Sequence, residues 1–286
     1  MKLSIIIVSW KVKDLLQENL EAIFRSQIDF DWEIFVVDNN SGDGTTEMVK
    51  RKFPRVNLIA NQENLGFARA NNQAIKKARG DYILLLNPDM RVFPDTLANM
   101  ISWADKHPEA GVAGCHLINK KGETVPQARN FPTWRDQMAI ILKIPHIFPQ
   151  VLNGYLKKDF DYSRQAEVDS IRGSFFLIRK EVVEEIGGLD EKYFIWFEEV
   201  DYCRQVWEAG WKVFYTPAAR CLDRIGQSFF QVKKGKTQKY FRDSMLKYFR
   251  KWHPRWQYAI LKIAWPLGRF ITFLFSTLKV QGKTKT

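Results

Sequence analysis

Apolar and polar positions fall in alternating blocks along the first ninety residues. Leu3 to Val8 is an unbroken, β-branched apolar run, the pattern of a strand covered on both faces. Val12 to Arg25 then sets Leu15, Leu16, Leu20, Ile23 and Phe24 at helical spacing. Glu33 to Val37 is a second buried strand, running into Asp38. Thr45–Phe53 predicts a short helix, Asn57–Ala60 a third strand and Ala68–Ala78 a helix. Asp81–Leu86 is a fourth strand, and it stops at Asn87-Pro88-Asp89.

Strand and helix in such succession predict an α/β fold: a Rossmann-like, mostly parallel sheet with helices on both faces. Ligands of these sheets bind beyond the carboxyl ends of the strands, and Ser9, Asp38 and Asp89 each stand just past one. Further on, the pattern predicts a β-excursion near 112–129 and a helix around 134–143. A strand follows at Ser174–Arg179, then a helix at Lys180–Glu185 closed by Gly187-Gly188. Val200–Ala209 is a helix ended by Gly210. A boundary near residue 225 divides a main domain, 1–225, from an extension, 226–286, in which Thr237–Trp252 and Gln257–Leu278 read as helices.

The composition, 286 residues with 45% hydrophobic and 27% charged, is that of a globular chain with a real core. The net charge of +12 narrows the partners to nucleic acid, an anionic membrane or phosphorylated substrates. Much of that charge comes late, from Lys233, Lys234, Lys236, Lys239, Arg242, Lys247, Arg250, Lys251 and Arg255. It leads into the apolar stretch Tyr258–Leu278, which argues for a membrane surface and against nucleic acid. That stretch is long enough to span a bilayer, but Lys262, Arg269 and Pro266-Leu267-Gly268 interrupt it. Arg255, Lys262 and Arg269 recur every seven residues on one helical face, as in a helix lying in the interface with its basic residues toward headgroups. Peripheral attachment to the inner face of the cell membrane is the expectation; packing on the main domain is the alternative.

Cys115, Cys203 and Cys221 are too scattered for a disulfide framework or a paired metal site, which suits a reducing cytosol. MKLSIIIVSW reads as a first strand and not as a signal peptide. After that strand comes SWKVKD, without the Gly-x-Gly-x-x-Gly of dinucleotide-binding folds, and neither a Walker A loop nor a Gly-x-Ser-x-Gly elbow occurs.

Acidic residues stand out instead: Asp38 in VVDNNSGDGT, Asp89 in LLLNPDM, Glu198-Glu199-x-Asp201 in FIWFEEVDYC, and Asp223 in CLDRIGQS. Acids beside an anionic nucleotide diphosphate make sense when a divalent cation lies between them. Mg²⁺ and Mn²⁺ take oxygen ligands, usually one or two carboxylates with phosphate oxygens and water. Each motif also has a plain explanation. Asn-Pro-Asp is a common turn, Glu198 and Glu199 favour the dipole at a helix start, and Asp201 and Arg204 have the spacing of a surface pair.

Taken together the motifs are more specific. SIIIVSW, VVDNNSGDGT, NQENLGFARANNQAI, GDYILLLNPDM, GSFFLIRKEVVEEIGGLDEKYFIWFEEVDYCRQVWEAGW and RDSMLKYFRKWHP follow in order over roughly residues 3–254. In this the chain resembles the family 2 inverting glycosyltransferases of the GT-A fold, especially their rhamnosyltransferase-like branch. The resemblance implies a nucleotide-sugar donor held by Ser9, Trp10, Asp38, Asn40, Asn64, Gly66, Phe67, Asn71 and Asn87. It implies Mg²⁺ or Mn²⁺ at Asp89, with Glu199 as general base and Glu198 as second candidate. Gly173, Trp196 and Phe197 would face the acceptor, a saccharide or lipid-linked saccharide; core packing is the alternative for one of the two aromatics.

Two positions depart from the family pattern. Glu-Glu replaces Glu-Asp at 198–199, and Asp223 stands where the family often has a metal-binding His before Gly-x-Ser. Asp223 either binds the metal or pairs with Arg224, and Asp201 orients Arg204 or its loop. The function implied is inverting sugar transfer in cell-surface polysaccharide assembly, with dTDP-rhamnose as favoured donor and UDP or GDP sugars open. The alternative class is a non-catalytic sugar-nucleotide-binding protein at the membrane. A glycosidase would leave VVDNNSGDGT without a role.

Overall fold

The computed structural model describes residues 1–224 and 234–281. The expected Ile225-Gly226-Gln227-Ser228 motif, the boundary at 225 and Lys233 lie outside the described residues, as does the side chain of Arg269.

The strands are β1 (Leu3–Ser9), β2 (Trp32–Asp38), β3 (Asn57–Ala60), β4 (Tyr82–Leu86), β5 (Met90–Val92), β6 (Ala110–Ile118), β7 (Ala166–Glu167), β8 (Phe175–Arg179) and β9 (Lys212–Asp223). The helices are α1 (Lys13–Phe24), α2 (Thr45–Lys52), α3 (Phe67–Ile75), α4 (Thr96–Asp105), α5 (Trp134–Ile141), α6 (Lys180–Ile186), α7 (Glu198–Glu208), α8 (Lys234–Trp252) and α9 (Arg255–Gln281). The strands form one sheet in the order β3-β2-β1-β4-β8-β6-β9-β5, with β7 beside β9.

The first half of the sheet is parallel, β3-β2-β1-β4, as the alternating pattern predicts. The second half corrects the expectation of a mostly parallel sheet. β8 is antiparallel to both β4 and β6, and β5 and β7 are antiparallel to β9; only β6–β9 is parallel there. The cause is the path of the chain. β6 runs with β4 and ends at the carboxyl edge of the sheet. The excursion through residues 119–172 re-enters from that same edge, so β8 has to run backwards.

Period-two alternation divides the core between the two faces. Ile5 and Ile7 pack with Leu16, Leu20 and Ile23 of α1 and with Met100 and Ile101 of α4. Ile6, Ile83 and Leu85 pack with Ala70 and Ala74 of α3 and with Val206 of α7. Helices therefore cover both faces. All three cysteines are buried free thiols.

A third cluster joins the C-terminal helices to the site end of the molecule. Met245, Tyr248 and Phe249 of α8 and Leu261 of α9 are buried with Tyr193, Phe197, Val200 and Ile141. Gly268 of α9 crosses α5 so closely that an added Cβ would collide with the Ile141 carbonyl. An adjoining side of α9 is exposed. Trp256, Ile260, Ile263, Leu267 and Phe270 are all exposed, and their alternating steps of four and three place them in one stripe. Among the described residues no helix is long and apolar enough to cross a membrane.

Candidate functional site

Topology gathers the sequence-predicted residues at the carboxyl edge. Ser9 and Asp38 are register partners at the ends of β1 and β2. Asn87 lies just past β4, where its N–H donates to the Ser174 carbonyl at 2.9 Å. Asp89 precedes β5, and Asp223 ends β9 opposite Met90. Ser9 is fully buried, and its hydroxyl finds no hydrogen-bond partner among the described residues.

Asp38 shapes the loop that follows it. Its carboxylate accepts from the Ser41 hydroxyl in a short bond, from the Ser41 N–H at 3.4 Å and from the Thr46 hydroxyl at 3.2 Å. Asn40 adopts φ 60° and is exposed, donating to the Gln62 carbonyl at 2.8 Å. Its neighbour Asn39, buried and absent from the predicted set, ties the loop after β2 to the loop before α3. The Asn39 amide donates to the Asn64 side chain and the Gly66 carbonyl, both at 3.1 Å, and accepts from Leu65 N–H at 3.2 Å. Gly66 has φ 83°, and a Cβ there would run into Phe194, so this close approach admits only glycine. In the next Asn pair, Asn71 bonds back to the Phe67 carbonyl at 2.9 Å. Asn72 instead bolts α3 to the turn before α7, exchanging bonds with Leu189 at 2.7 and 2.9 Å.

Asp89 and Asp223 are 5% and 3% exposed, and Arg224 N–H donates to the Asp89 carbonyl at 3.3 Å. Asp223 forms an ion pair with Arg172 at 3.3 Å, while Arg224 reaches across to Glu18. Among the described residues no cluster of three His, Cys, Asp or Glu side chains is placed to hold an ion. Mg²⁺ or Mn²⁺ bound mainly through phosphate oxygens and water needs only one or two carboxylates. Two buried carboxylates, one just before β5 and one at the end of its partner β9, fit that mode, not an all-protein cage.

The second acidic group sits at the start of α7. Trp196 and Phe197 take φ 65° and 68°, two successive left-handed residues, a costly conformation for bulky side chains. The strained turn is held by packing. Phe197 is 5% exposed, with Phe241 and Tyr248 rings 5.7 and 5.6 Å away. Phe197 is thus the core residue of the aromatic pair, while Trp196 stays half-buried. Past this turn Glu199 packs against Gly173, where a Cβ built on the glycine would also meet the Phe67 ring edge at 4.0 Å.

Glu198 and Glu199 each keep one carboxylate oxygen buried without a hydrogen-bond partner among the described residues. Burial pushes the Glu198 carboxyl well above its ordinary pKa, and the charge of Glu199 adds to the shift. Burial also raises Glu199, against the pull of Arg129 and Arg172. A buried carboxylate of raised pKa is the environment of a general base.

Asp201 does not orient Arg204. It is fully buried and accepts from Trp252 Nε1 at 2.6 Å, Lys251 Nζ and Gln205 Nε2 at 2.8 Å, and Tyr193 OH at 3.2 Å. Arg204 pairs with Glu208 at 3.1 Å and stacks on Phe131 and Trp252. Lys251 and Trp252, at the end of α8, are therefore a clamp on the helix that carries Glu199.

Arg172, Arg129, Asn39 and Asn72 are the site residues that sequence reasoning missed. Arg172 directly precedes the GSFF motif, a signal that was present. Arg129 lies in an irregular loop with nothing local to mark it. Asn39 and Asn72 each sit beside a selected asparagine, and only tertiary contact separates the roles.

Over 207 residues the chain is 28% identical to an N-acetylglucosaminyl-diphospho-decaprenol L-rhamnosyltransferase of Mycobacterium tuberculosis, covering 68% of this chain and 67% of that protein. It is 28% identical over 233 residues to the rhamnosyltransferase WbbL of Escherichia coli, covering 76% and 81% respectively. A mannosyltransferase from Pyrobaculum calidifontis, solved in complex with GDP-Man and Mn²⁺, shares the fold with a TM-score of 0.60 at 18% identity, covering 99% of this chain and 79% of that one. Residues 4–187, well over half of the chain, match the family model Glycosyl transferase family 2, and with the GT-A-like sheet and its acid-lined edge this places the chain in that family, among rhamnosyltransferase-like members.

Proposed function

We propose that the chain is an inverting glycosyltransferase that moves a sugar, rhamnose from dTDP-rhamnose by preference, to a lipid-linked saccharide acceptor in cell-envelope polysaccharide assembly. The carrying observation is the meeting of Phe67, Gly173 and Glu199 at the edge that also holds Asp38, Asp89 and Asp223. A donor lying along that edge has its nucleoside by Ser9, Trp10 and Asp38 and its diphosphate by Asp89 and Arg172. The acceptor hydroxyl then enters from the Gly173 side. Glu199 takes the hydroxyl proton as the new bond forms at the anomeric carbon. The bond to the diphosphate breaks in the same step, the nucleoside diphosphate leaves with the electron pair, and the configuration inverts. A Mg²⁺ or Mn²⁺ held by Asp89 and Asp223 would neutralise the leaving diphosphate. The donor preference rests on the rhamnosyltransferases among the relatives.

The exposed apolar stripe of α9 supports a place on the inner face of the cell membrane. Exposed Arg255 and Lys262 line one edge of it, so the helix combines an apolar face with a basic edge suited to anionic headgroups.

Calorimetric titration with dTDP, UDP and GDP, with and without Mn²⁺, tests the site. Tight, metal-dependent binding of one nucleotide that is lost in Asp89→Asn is expected. Binding without transfer in the parent protein would move the assignment to a non-catalytic sugar-nucleotide binder.

A further inference from the structure

Between α5, α8 and α9 lies a cavity of ≈ 260 Å³, lined by Ile140, Ile141, Phe241 and Trp265, with Trp196 and Gln238 also in its wall. Its lining is mostly apolar, so it offers little to a sugar or a nucleotide. Trp196 belongs to the strained turn that leads directly into Glu198 and Glu199, so one wall of the cavity is part of that turn. Lys143, the cationic residue of the lining, follows α5.

The bare apolar surface begins beside another part of the lining. Gly268 of α9 is in the lining, and Leu267 and Phe270 beside it are 53% and 58% exposed. The chain leaving α5 carries Ile147 and Phe148, 64% and 63% exposed. Apolar surface of this extent is unusual for a chain facing water alone.

We infer that this cavity is a slot for the isoprenoid chain of the acceptor, between the apolar stripe of α9 and the turn before Glu199. The inference rests on the proposed transfer to a lipid-linked saccharide and assigns that acceptor's tail to specific residues. A chain threaded here has its tail at the lipid-facing stripe and its diphosphate within reach of Lys143. Its sugar lies toward Gly173.

Equilibrium dialysis of radiolabelled farnesyl diphosphate, with inorganic diphosphate as control and no donor present, tests the slot. The full chain should bind farnesyl diphosphate at least about tenfold tighter than diphosphate. Ile140→Trp and Gln238→Trp, which fill the cavity from two helices, should each weaken that binding by about tenfold or more, as one misplaced methylene in an apolar pocket can. Melting temperature and nucleoside diphosphate binding should stay at parent values in at least one of the two. Unchanged farnesyl diphosphate binding in both folded variants overturns the inference, as does equal affinity for diphosphate alone. Reduced sedimentation with phosphatidylglycerol vesicles, at unchanged farnesyl diphosphate affinity, would give the cavity to membrane acyl chains and also overturns it. Transfer activity is not part of the readout, so a failed transferase assignment and a failed slot give different results.

Discussion

Glu199 rests against Gly173: a Cβ built on the glycine would meet Glu199 Cβ at 3.4 Å and Cγ at 3.8 Å. That spacing accepts a methyl group and nothing branched. Gly173→Ala should keep most of the transfer rate. Gly173→Val should push the carboxylate aside and lower kcat by about 100-fold, the usual cost of misplacing a catalytic group by about 1 Å. Nucleotide affinity measured alongside should not move in either variant; a fall in affinity matching the fall in kcat would detach Gly173 from the base.

The acid limb of the pH–rate profile belongs to Glu199 in this scheme. A base works ionised, and burial raises the pKa of this one. The rate should therefore climb with pH through a value above the ordinary glutamate range of about 4.3. Glu199→Gln should remove that limb and lower kcat by about 100- to 10,000-fold, with donor binding intact. An unchanged limb in Glu199→Gln would assign it to another group.

Glu198 should show itself in stability. Its folded pKa is raised by burial and by Glu199, so its stabilising contribution is complete below the unfolded value of about 4.3 and is lost as pH rises through the folded value. Glu198→Gln has no charge to bury. The variant should be more stable than the parent at pH 8, by about 1 kcal/mol or more, and the difference should close toward pH 4. Denaturant melts at the two pH values measure this; a constant difference would contradict the buried-charge account.

Asp201→Ala should destabilise the fold by about 3 kcal/mol, because it strands Lys251 and Trp252 and leaves a cavity inside a hydrogen-bonded hub. The urea midpoint should fall with little change in slope. Arg204→Ala, which leaves the hub whole, should cost markedly less. Equal losses would show that α8 is held mainly by stacking on Arg204.

Much of the parallel half of the sheet was legible because strands covered on both faces write themselves as unbroken apolar runs, Leu3–Val8 and Ile83–Leu86 among them. β9 was not. KVFYTPAARCLD contains Pro217 and charged residues, and it pairs with β6 through shifts of register, so no single period runs along it. α4 carries helical spacing at Leu97, Met100, Ile101 and Ala104 but no motif that draws attention to it. The strand-end acids were visible because turn residues follow apolar runs there. Arg129 acts on Glu199 from a remote loop that nothing local marks, whereas Arg172 stands directly before the GSFF motif.

The clamp on Asp201 also sets an order of events during synthesis. Every strand of the described sheet lies before residue 224, so the sheet and its Asp38 edge can close while the C-terminus is still being made. The left-handed turn at Trp196–Phe197 cannot settle then, because Tyr248, Lys251 and Trp252 have yet to emerge. Domains fold as the chain is produced, and here the part that orders Glu199 is made after the sheet. Under the proposed function, an unfinished chain would hold its nucleotide before it could transfer the sugar.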